Sequence, residues 1–177
     1  TCPGNQNVAA DGNCQFTMVD YSPMLTGTDN CDNSLTLVQL PAPGTVVAGS
    51  TTVFITATDD AGNSATCSFQ VVVDDTTPPT ISVCASDVTE SVDNNCDFSL
   101  PSYTTLVAAT DNCDATLTYS QNPAPGTVIS GYNTITNVTI TVTDDNGNAS
   151  SCNFNVTLDD NINPTISCPA NINQTAD

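Results

Sequence analysis

Lysine, arginine and histidine are absent from this 177-residue chain, and so is tryptophan. With no cationic side chain, no side-chain ion pair can form. A nucleic-acid partner is excluded, because phosphate binding runs on Lys and Arg. An anionic membrane surface would repel the chain, whose formal net charge is −19. Nucleophilic catalysis by Ser or Cys needs a base, and neither His nor Lys is there to supply it. A paired-carboxylate glycosidase would need a cleft with aromatic walls, and aromatic residues make up 5% of the chain. No apolar run approaches the roughly 18 residues of a membrane span. No signal peptide is evident, and the chain opens and closes in mid-pattern, as expected of a mature or excised part of something longer.

What is present is acid and cysteine. There are 19 acidic residues, 18 of them Asp, and nine cysteines. High charge with modest hydrophobicity is a signature of disorder, but nine cysteines and regular β patterning oppose that reading. Zinc would want Cys-x-x-Cys or His spacing, and here every cysteine is far from the next along the chain. Cysteine usage of this kind places the chain in an oxidising compartment, secreted or at a cell surface. The natural partners of so anionic a surface are cations.

The chain repeats itself, and the repeat sets the architecture. Cys2, Cys14 and Cys31 recur with unchanged spacing as Cys84, Cys96 and Cys113. Cys67 recurs as Cys152, and Cys84 as Cys168. Thr28-Asp29-Asn30-Cys31-Asp32 matches Thr110-Asp111-Asn112-Cys113-Asp114. Pro41-Ala42-Pro43-Gly44-Thr45-Val46 matches Pro123-Ala124-Pro125-Gly126-Thr127-Val128. The expected domains are a first repeat over 1–77, a second over 78–162, and the opening strand of a truncated third over 163–177. Within each repeat the apolar period is two, the signature of strands. Cys67, Phe69, Val71 and Val73 alternate with Ser68, Gln70 and Val72, and Val53, Ile55 and Ala57 precede them in the same phase. Asp-Ala-Gly-Asn and Asp-Asn-Gly-Asn separate the paired runs, with residues that tolerate positive φ in tight loops. Short strands with regular turn signals predict an all-β fold of tandem β-sandwich repeats.

These residues resemble tandem HYR (hyalin repeat) domains. The carriers are Pro79-Thr80-Ile81-Ser82 running to Cys84, Thr28-Asp29-Asn30-Cys31, Pro43-Gly44-Thr45-Val46, and the run from Ala57-Thr58-Asp59-Asp60 through Cys67-Ser68-Phe69 to Val73-Asp74-Asp75. The resemblance covers the whole chain and implies immunoglobulin-like sandwiches in an extracellular adhesion protein, of the kind strung in long arrays on Bacteroidetes-type bacteria. Cys84-Ala85 departs from the Cys-Pro opening kept by Cys2-Pro3 and Cys168-Pro169. Four cysteines per repeat allow three connectivities, between which spacing does not choose. The resemblance implies Cys2–Cys67 with Cys14–Cys31, then Cys84–Cys152 with Cys96–Cys113, leaving Cys168 to pair beyond the chain. A repeat this small has a marginal core, and closing a loop of roughly 65 residues contributes about 4 kcal/mol in the entropic account.

Twelve of the 19 acids fall in three recurring places. Asp29 and Asp32, with Asp111 and Asp114, lie in the Asp-Asn-Cys-Asp loops. Asp59 and Asp60, with Asp144 and Asp145, lie in the hairpins. Asp74 and Asp75, with Asp159 and Asp160, lie at the repeat boundaries. In a linear array the pair leaving repeat one meets both acidic loops of repeat two. The expected cluster is Asp74, Asp75, Asp111, Asp114, Asp144 and Asp145, with neutral oxygens from Asn112 and Asn148. Crowded carboxylates with no protein counter-charge call for a hard cation. Ca²⁺ takes six to eight oxygen ligands, whereas Mg²⁺ keeps more water. The segment 159–164 also resembles a cadherin interdomain linker, which implies calcium stiffening of the joint. Against this stands the plain ability of Asp and Asn to make exposed turns without any ion.

Four Asn-x-Ser/Thr sequons occur, at Asn137, Asn148, Asn155 and Asn173. Asn137 and Asn155 fall on the solvent register, and Asp75-Thr76-Thr77 resembles a short bacterial O-glycosylation signal that makes Thr76 a candidate carrier. The leading functional expectation is a structural spacer in an adhesin or surface filament, touching neighbouring repeats and other copies in a fibre. The alternative is a direct glycan- or protein-binding adhesion module, for which the asymmetries are Tyr103, Tyr119, Tyr132 and the longer segment 129–136. A third reading pairs edge strands between chains.

Overall fold

A computed structural model of the chain describes residues 1–168. The first repeat carries β1 (Gln6–Ala9), β2 (Phe16–Thr17), β3 (Thr36–Leu40), β4 (Val46–Val47), β5 (Thr51–Thr58) and β6 (Ser64–Asp74). The second carries β7 (Thr80–Val83), β8 (Val88–Ser91), β9 (Asp97–Ser99), β10 (Ala108–Thr110), β11 (Thr118–Asn122), β12 (Val128–Ser130), β13 (Ile135–Thr143) and β14 (Ala149–Asp159). Two single-turn 3-10 helices, Ser22–Met24 and Thr104–Leu106, complete the elements. No helix among the described residues is long and apolar enough to cross a membrane.

Each repeat builds the same four-stranded sheet, β1-β6-β5-β3 in the first and β8-β14-β13-β11 in the second. The opening strand runs parallel to the last one: Gln6 faces Val71 and Ala9 faces Asp74, while Val88 faces Val156 and Ser91 faces Asp159. β5 and β6 form the antiparallel hairpin expected from the period-two runs, with Val53 opposite Phe69 and Ile55 opposite Cys67. The small sheet β2-β4 supplies the second layer. Its Phe16 and Val47 pack against a buried cluster of Met18, Tyr21, Val53, Ile55, Phe69 and Val71. Burying such side chains supplies most of the folding free energy, about 1.5–3 kcal/mol for each large one. Tyr21 meets Phe69 edge-to-face at 5.2 Å, and in the second repeat Tyr103 meets Phe154 at 5.0 Å. Tyr103 is therefore the counterpart of Tyr21, a core residue and not an asymmetry of repeat two.

By compactness the chain divides into two units that cut across the sequence repeats. The first takes Thr1–Ser82 together with Ala109–Tyr119 and Val142–Ser150. The second takes Val83–Ala108, Ser120–Thr141 and the chain from Ser151 onward. Both acidic loops of the second repeat thus belong to the compact body built around the first. Residues 163–168 of the expected third-repeat strand carry no strand, and the rest of it, with Asn173, lies outside the described residues.

Cys2 is bonded to Cys67 and Cys84 to Cys152. The pairing inside each repeat expected of the other cysteines is overturned. Cys14 is bonded to Cys113 in the second repeat, 99 positions away. Cys31 and Cys96, expected to bond Cys14 and Cys113, are free and exposed, as is Cys168. The reason is visible in the backbone. The turn carrying Cys14 lies against the loop carrying Cys113, where Asn112 Nδ2 donates to the carbonyl of Asp11 at 3.2 Å.

Candidate metal centre

Three segments of the first compact unit build the site. In the loop after β10, Asp111 Oδ1 accepts the backbone N–H groups of Cys113 at 2.8 Å and Asp114 at 3.1 Å. That Asx turn commits one oxygen and leaves Oδ2 buried without a partner. In the hairpin between β13 and β14, Asp144 accepts the N–H of Asn148 on Oδ1 and its Nδ2 on Oδ2, both at 2.8 Å. Gly147 sits at φ 90°, which lets this loop close without a Cβ clash. At the exit of the first repeat, Asp75 Oδ1 accepts the N–H of Thr77 at 3.0 Å. Its Oδ2 is buried and unpartnered, in a residue 8% exposed.

Carboxylate oxygens of Asp75, Asp111, Asp114 and Asp144 all lie within 4.8 Å of one another. Carboxylates this close repel one another, and the chain has no cationic side chain to relieve it. Burial, joined by the charges of Asp145, Asp144 and Asp111, pushes Asp114 above the ordinary carboxylate range, against an opposing hydrogen bond from Asp145. Burial also pushes Asp144 up, but the hydrogen bonds from Asn148, Gly147 and Asn146 outweigh it and hold this carboxylate below that range. Two carboxylates with an unused buried oxygen, beside two more within reach, are the donor set a hard cation takes.

The remaining expected ligands are placed as follows. Asn112 has a buried, unpartnered Oδ1, while its amide nitrogen holds the Asp11 carbonyl. Asn148 presents its Nδ2 to Asp144 and to the carbonyl of Asp75, so it organises the acids as a donor. Asp145 gives its backbone N–H to Asp114 Oδ2 at 3.4 Å, and its own side chain is exposed and outside the cluster. Asp74 is likewise outside, with its carbonyl accepting from Ala10. In the first repeat Asp29, Asp32 and Asp59 form a three-carboxylate counterpart, with Asp60 beside it donating its N–H to Asp32. Hydrogen bonds, chiefly from the Asn63 side chain, hold Asp59 below the ordinary range. Asp159 and Asp160 join no such group among the described residues.

Of the glycosylation candidates, Thr76 and Asn137 are exposed and Asn155 is partly so. Asn137 Nδ2 contacts Asn155 Oδ1 at 3.2 Å. Tyr132 is 62% exposed, and Tyr119 is half-buried.

The HYR domain family matches residues 1–73 and again residues 74–158. The chain belongs to the HYR domain family. This HYR pair is 32% identical over 151 residues to "Hyalin" of Lytechinus variegatus, with 81% of this chain covered. It is 33% identical over 134 residues to "Hyalin" of Strongylocentrotus purpuratus, with 73% of this chain covered. To "Extracellular matrix-binding protein EbhB" of Staphylococcus aureus (strain N315) it is 30% identical over 161 residues, with 88% covered. The HYR pair spans 27%, 11% and 4% of the lengths of these relatives. Among solved structures, human protocadherin-24 EC1-2 is similar at 15% identity and TM-score 0.38, over 89% of this chain and 95% of that one.

Proposed function

We propose that this HYR pair is a spacer segment of an extracellular, adhesion-type array, and that Ca²⁺ held by Asp75, Asp111, Asp114 and Asp144 stiffens the joint between successive repeats. The observation that carries the reading is Asp75. It leaves the last strand of one repeat, is buried, keeps one carboxylate oxygen without a hydrogen-bond partner, and has a carboxylate oxygen within 4.8 Å of those of three acids of the next repeat. Burying a carboxylate without a partner is costly, and a cation with oxygen ligands converts that cost into binding energy. The ion supplies positive charge and nothing else. The protein supplies the cage, with Asn148 and the two Asx turns fixing the acids.

The relatives support an extracellular setting, since one is described as binding extracellular matrix and the disulfides suit an oxidising compartment. The fold unit carries the acids in duplicate, at Asp29, Asp32 and Asp59 as well as at Asp111, Asp114 and Asp144. Duplication with the repeat favours architecture over a single ligand site.

The test uses chelator-treated protein. Calcium titrated by calorimetry should bind at one strong site and raise the melting temperature, and the Asp75→Asn variant should lose both effects. A parent protein that neither binds calcium nor changes its melting temperature would overturn the metal and, with it, the stiffened joint.

A further inference from the structure

The bonded pair Cys14–Cys113 has a free duplicate of each member. By their places in the repeat, Cys96 is the counterpart of Cys14 and Cys31 is the counterpart of Cys113. Both free thiols are exposed, and both are held as the bonded residues are held. Cys14 sits at φ 58° and Cys96 at φ 62°, a left-handed conformation uncommon for a residue with a Cβ. The N–H of Cys14 donates to the Asp11 carbonyl at 2.9 Å, and that of Cys96 to the Asp93 carbonyl at 3.0 Å. On the other side, Asp29 accepts the N–H of Cys31 and Asp111 the N–H of Cys113, each at 2.8 Å. Asn30 Nδ2 lies 3.3 Å from the Cys31 sulfur and Asn112 Nδ2 3.2 Å from the Cys113 sulfur. The free halves therefore repeat the hydrogen bonds of their bonded counterparts, and Cys96 repeats the φ of Cys14 as well.

We propose that Cys96 and Cys31 are the two halves of an inter-repeat disulfide, by which this HYR pair joins a further HYR copy head to tail in repetition of the Cys14–Cys113 link. The contact around the existing link shows what else recurs. The Asn112 amide that holds the Asp11 carbonyl has its counterpart in Asn30, and that carbonyl has its counterpart in Asp93. A second copy of this chain carries the matching surface, so it is the occupant and the probe. The reaction is thiol–disulfide exchange with a small-molecule disulfide. The Cys96 thiolate attacks one sulfur of the small disulfide, forming a mixed disulfide and releasing one small thiol. The Cys31 thiolate of the second copy then attacks the Cys96 sulfur, forming the protein disulfide and releasing the second small thiol. Two protein thiols are oxidised, one small disulfide is reduced to two thiols, and the two protons lost on thiolate formation are taken up there.

The link is covalent and is tested in parallel with EDTA and with calcium, so that a dimer, or its absence, in both conditions is separate from the outcome of the calcium reading. In a Cys168→Ser background, Cys31→Ser and Cys96→Ser are made singly. Both positions are exposed, so neither change disturbs the core. Each variant alone, and an equal mixture of the two, is treated with oxidised glutathione at physiological ionic strength and run without reductant. The mixture should give a dimer, with neither variant dimerising above background alone. Trypsin has no site in the chain, so the dimer is cut at Asp, and mass spectrometry should find the Cys96 peptide of one variant bonded to the Cys31 peptide of the other. No dimer in the mixture, or equal dimer from either variant alone, overturns the proposal.

Discussion

Asn148 Nδ2 donates to the backbone carbonyl of Asp75 at 3.1 Å, and so ties the hairpin of the second repeat to the exit of the first. The same amide nitrogen holds Asp144 Oδ2 at 2.8 Å. One side chain therefore fixes two of the four clustered acids, one by its carboxylate and one by its backbone.

The charge crowding around this contact makes a sign prediction. Asp75→Asn removes one of four carboxylates and keeps the shape. Without metal the variant should be more stable than the parent, by an amount on the order of 1–3 kcal/mol, the loss of one or more screened like-charge repulsions. With saturating calcium the order should reverse, since the parent gains binding energy and the variant does not. Thermal melts of both proteins, with EDTA and with calcium, check it. A variant less stable than the parent in EDTA would show that the acids do not strain the metal-free site.

Thiol counting separates the structural pairing from the one the family resemblance implied. Unfolded, unreduced protein should react with Ellman's reagent at three cysteines, Cys31, Cys96 and Cys168; pairing within each repeat would leave one. Replacing Cys14 and Cys113 together by Ser should cost about 3–5 kcal/mol in urea unfolding, since the lost cross-link spans 99 positions and loop-closure entropy grows with loop length. If the double variant unfolds at the parent's midpoint, this bond contributes nothing to the folded state.

The repeats and the strand hairpins are legible in the chain, because period-two burial and duplicated turn residues are local signals. The acid cluster follows instead from where a linear array brings the exit of one repeat. Of the six acids expected there, Asp75, Asp111, Asp114 and Asp144 are gathered, while Asp74 and Asp145 are not. The Cys14–Cys113 bond is not legible. Nothing in the spacing of Cys14, Cys31, Cys96 and Cys113 distinguishes a bond inside a repeat from one shifted by a repeat, since the two give the same pattern in an endless array. Tyr103 is hidden for a different reason. Its counterpart Tyr21 holds the same place in the first repeat but lies outside the stretches that match word for word. Alignment by register and not by identity brings out both rings, each facing a Phe.

Two turn acids give the low-pH behaviour its sign. Backbone hydrogen bonds from Asp97 and Asn95 hold Asp93 below the ordinary carboxylate range. The Ser22 hydroxyl and N–H do the same for Asp20. A lowered folded pKa means that the unfolded chain binds the proton more tightly. The stability from these groups is therefore fully present above the ordinary carboxylate pKa of about 3.9 and is lost as pH falls through the lower folded value. The Asp20→Asn and Asp93→Asn double variant should lose melting temperature less steeply than the parent below roughly pH 4. Parallel curves would mean that other acids carry the acid sensitivity.

Gln39 has the most demanding hydrogen-bond set in the first core. It is 6% exposed, its Oε1 accepts the N–H of Tyr21 at 2.7 Å, and its Nε2 donates to the carbonyls of Val19 at 2.9 Å and Pro41 at 3.0 Å. Gln121 repeats the set with Tyr103, Pro101 and Pro123. A glutamine recurring in phase with the repeat, each time just before a Pro-Ala-Pro-Gly turn, is the sequence signal that points to it. Gln39→Leu strands three backbone groups at once, and at about 1–3 kcal/mol for a buried unsatisfied group the loss should be roughly 2–4 kcal/mol once partial solvation is allowed. Gln39→Glu keeps the acceptor for Tyr21 but turns a carboxylate toward two carbonyl oxygens. Its pKa in the folded state is thereby raised, so stability should recover as pH falls and the side chain regains a donor. Urea unfolding of both variants at neutral and mildly acidic pH checks the pair. Recovery in Gln39→Glu without recovery in Gln39→Leu assigns the cost to the lost donors. Equal losses at both pH values would assign it to packing instead.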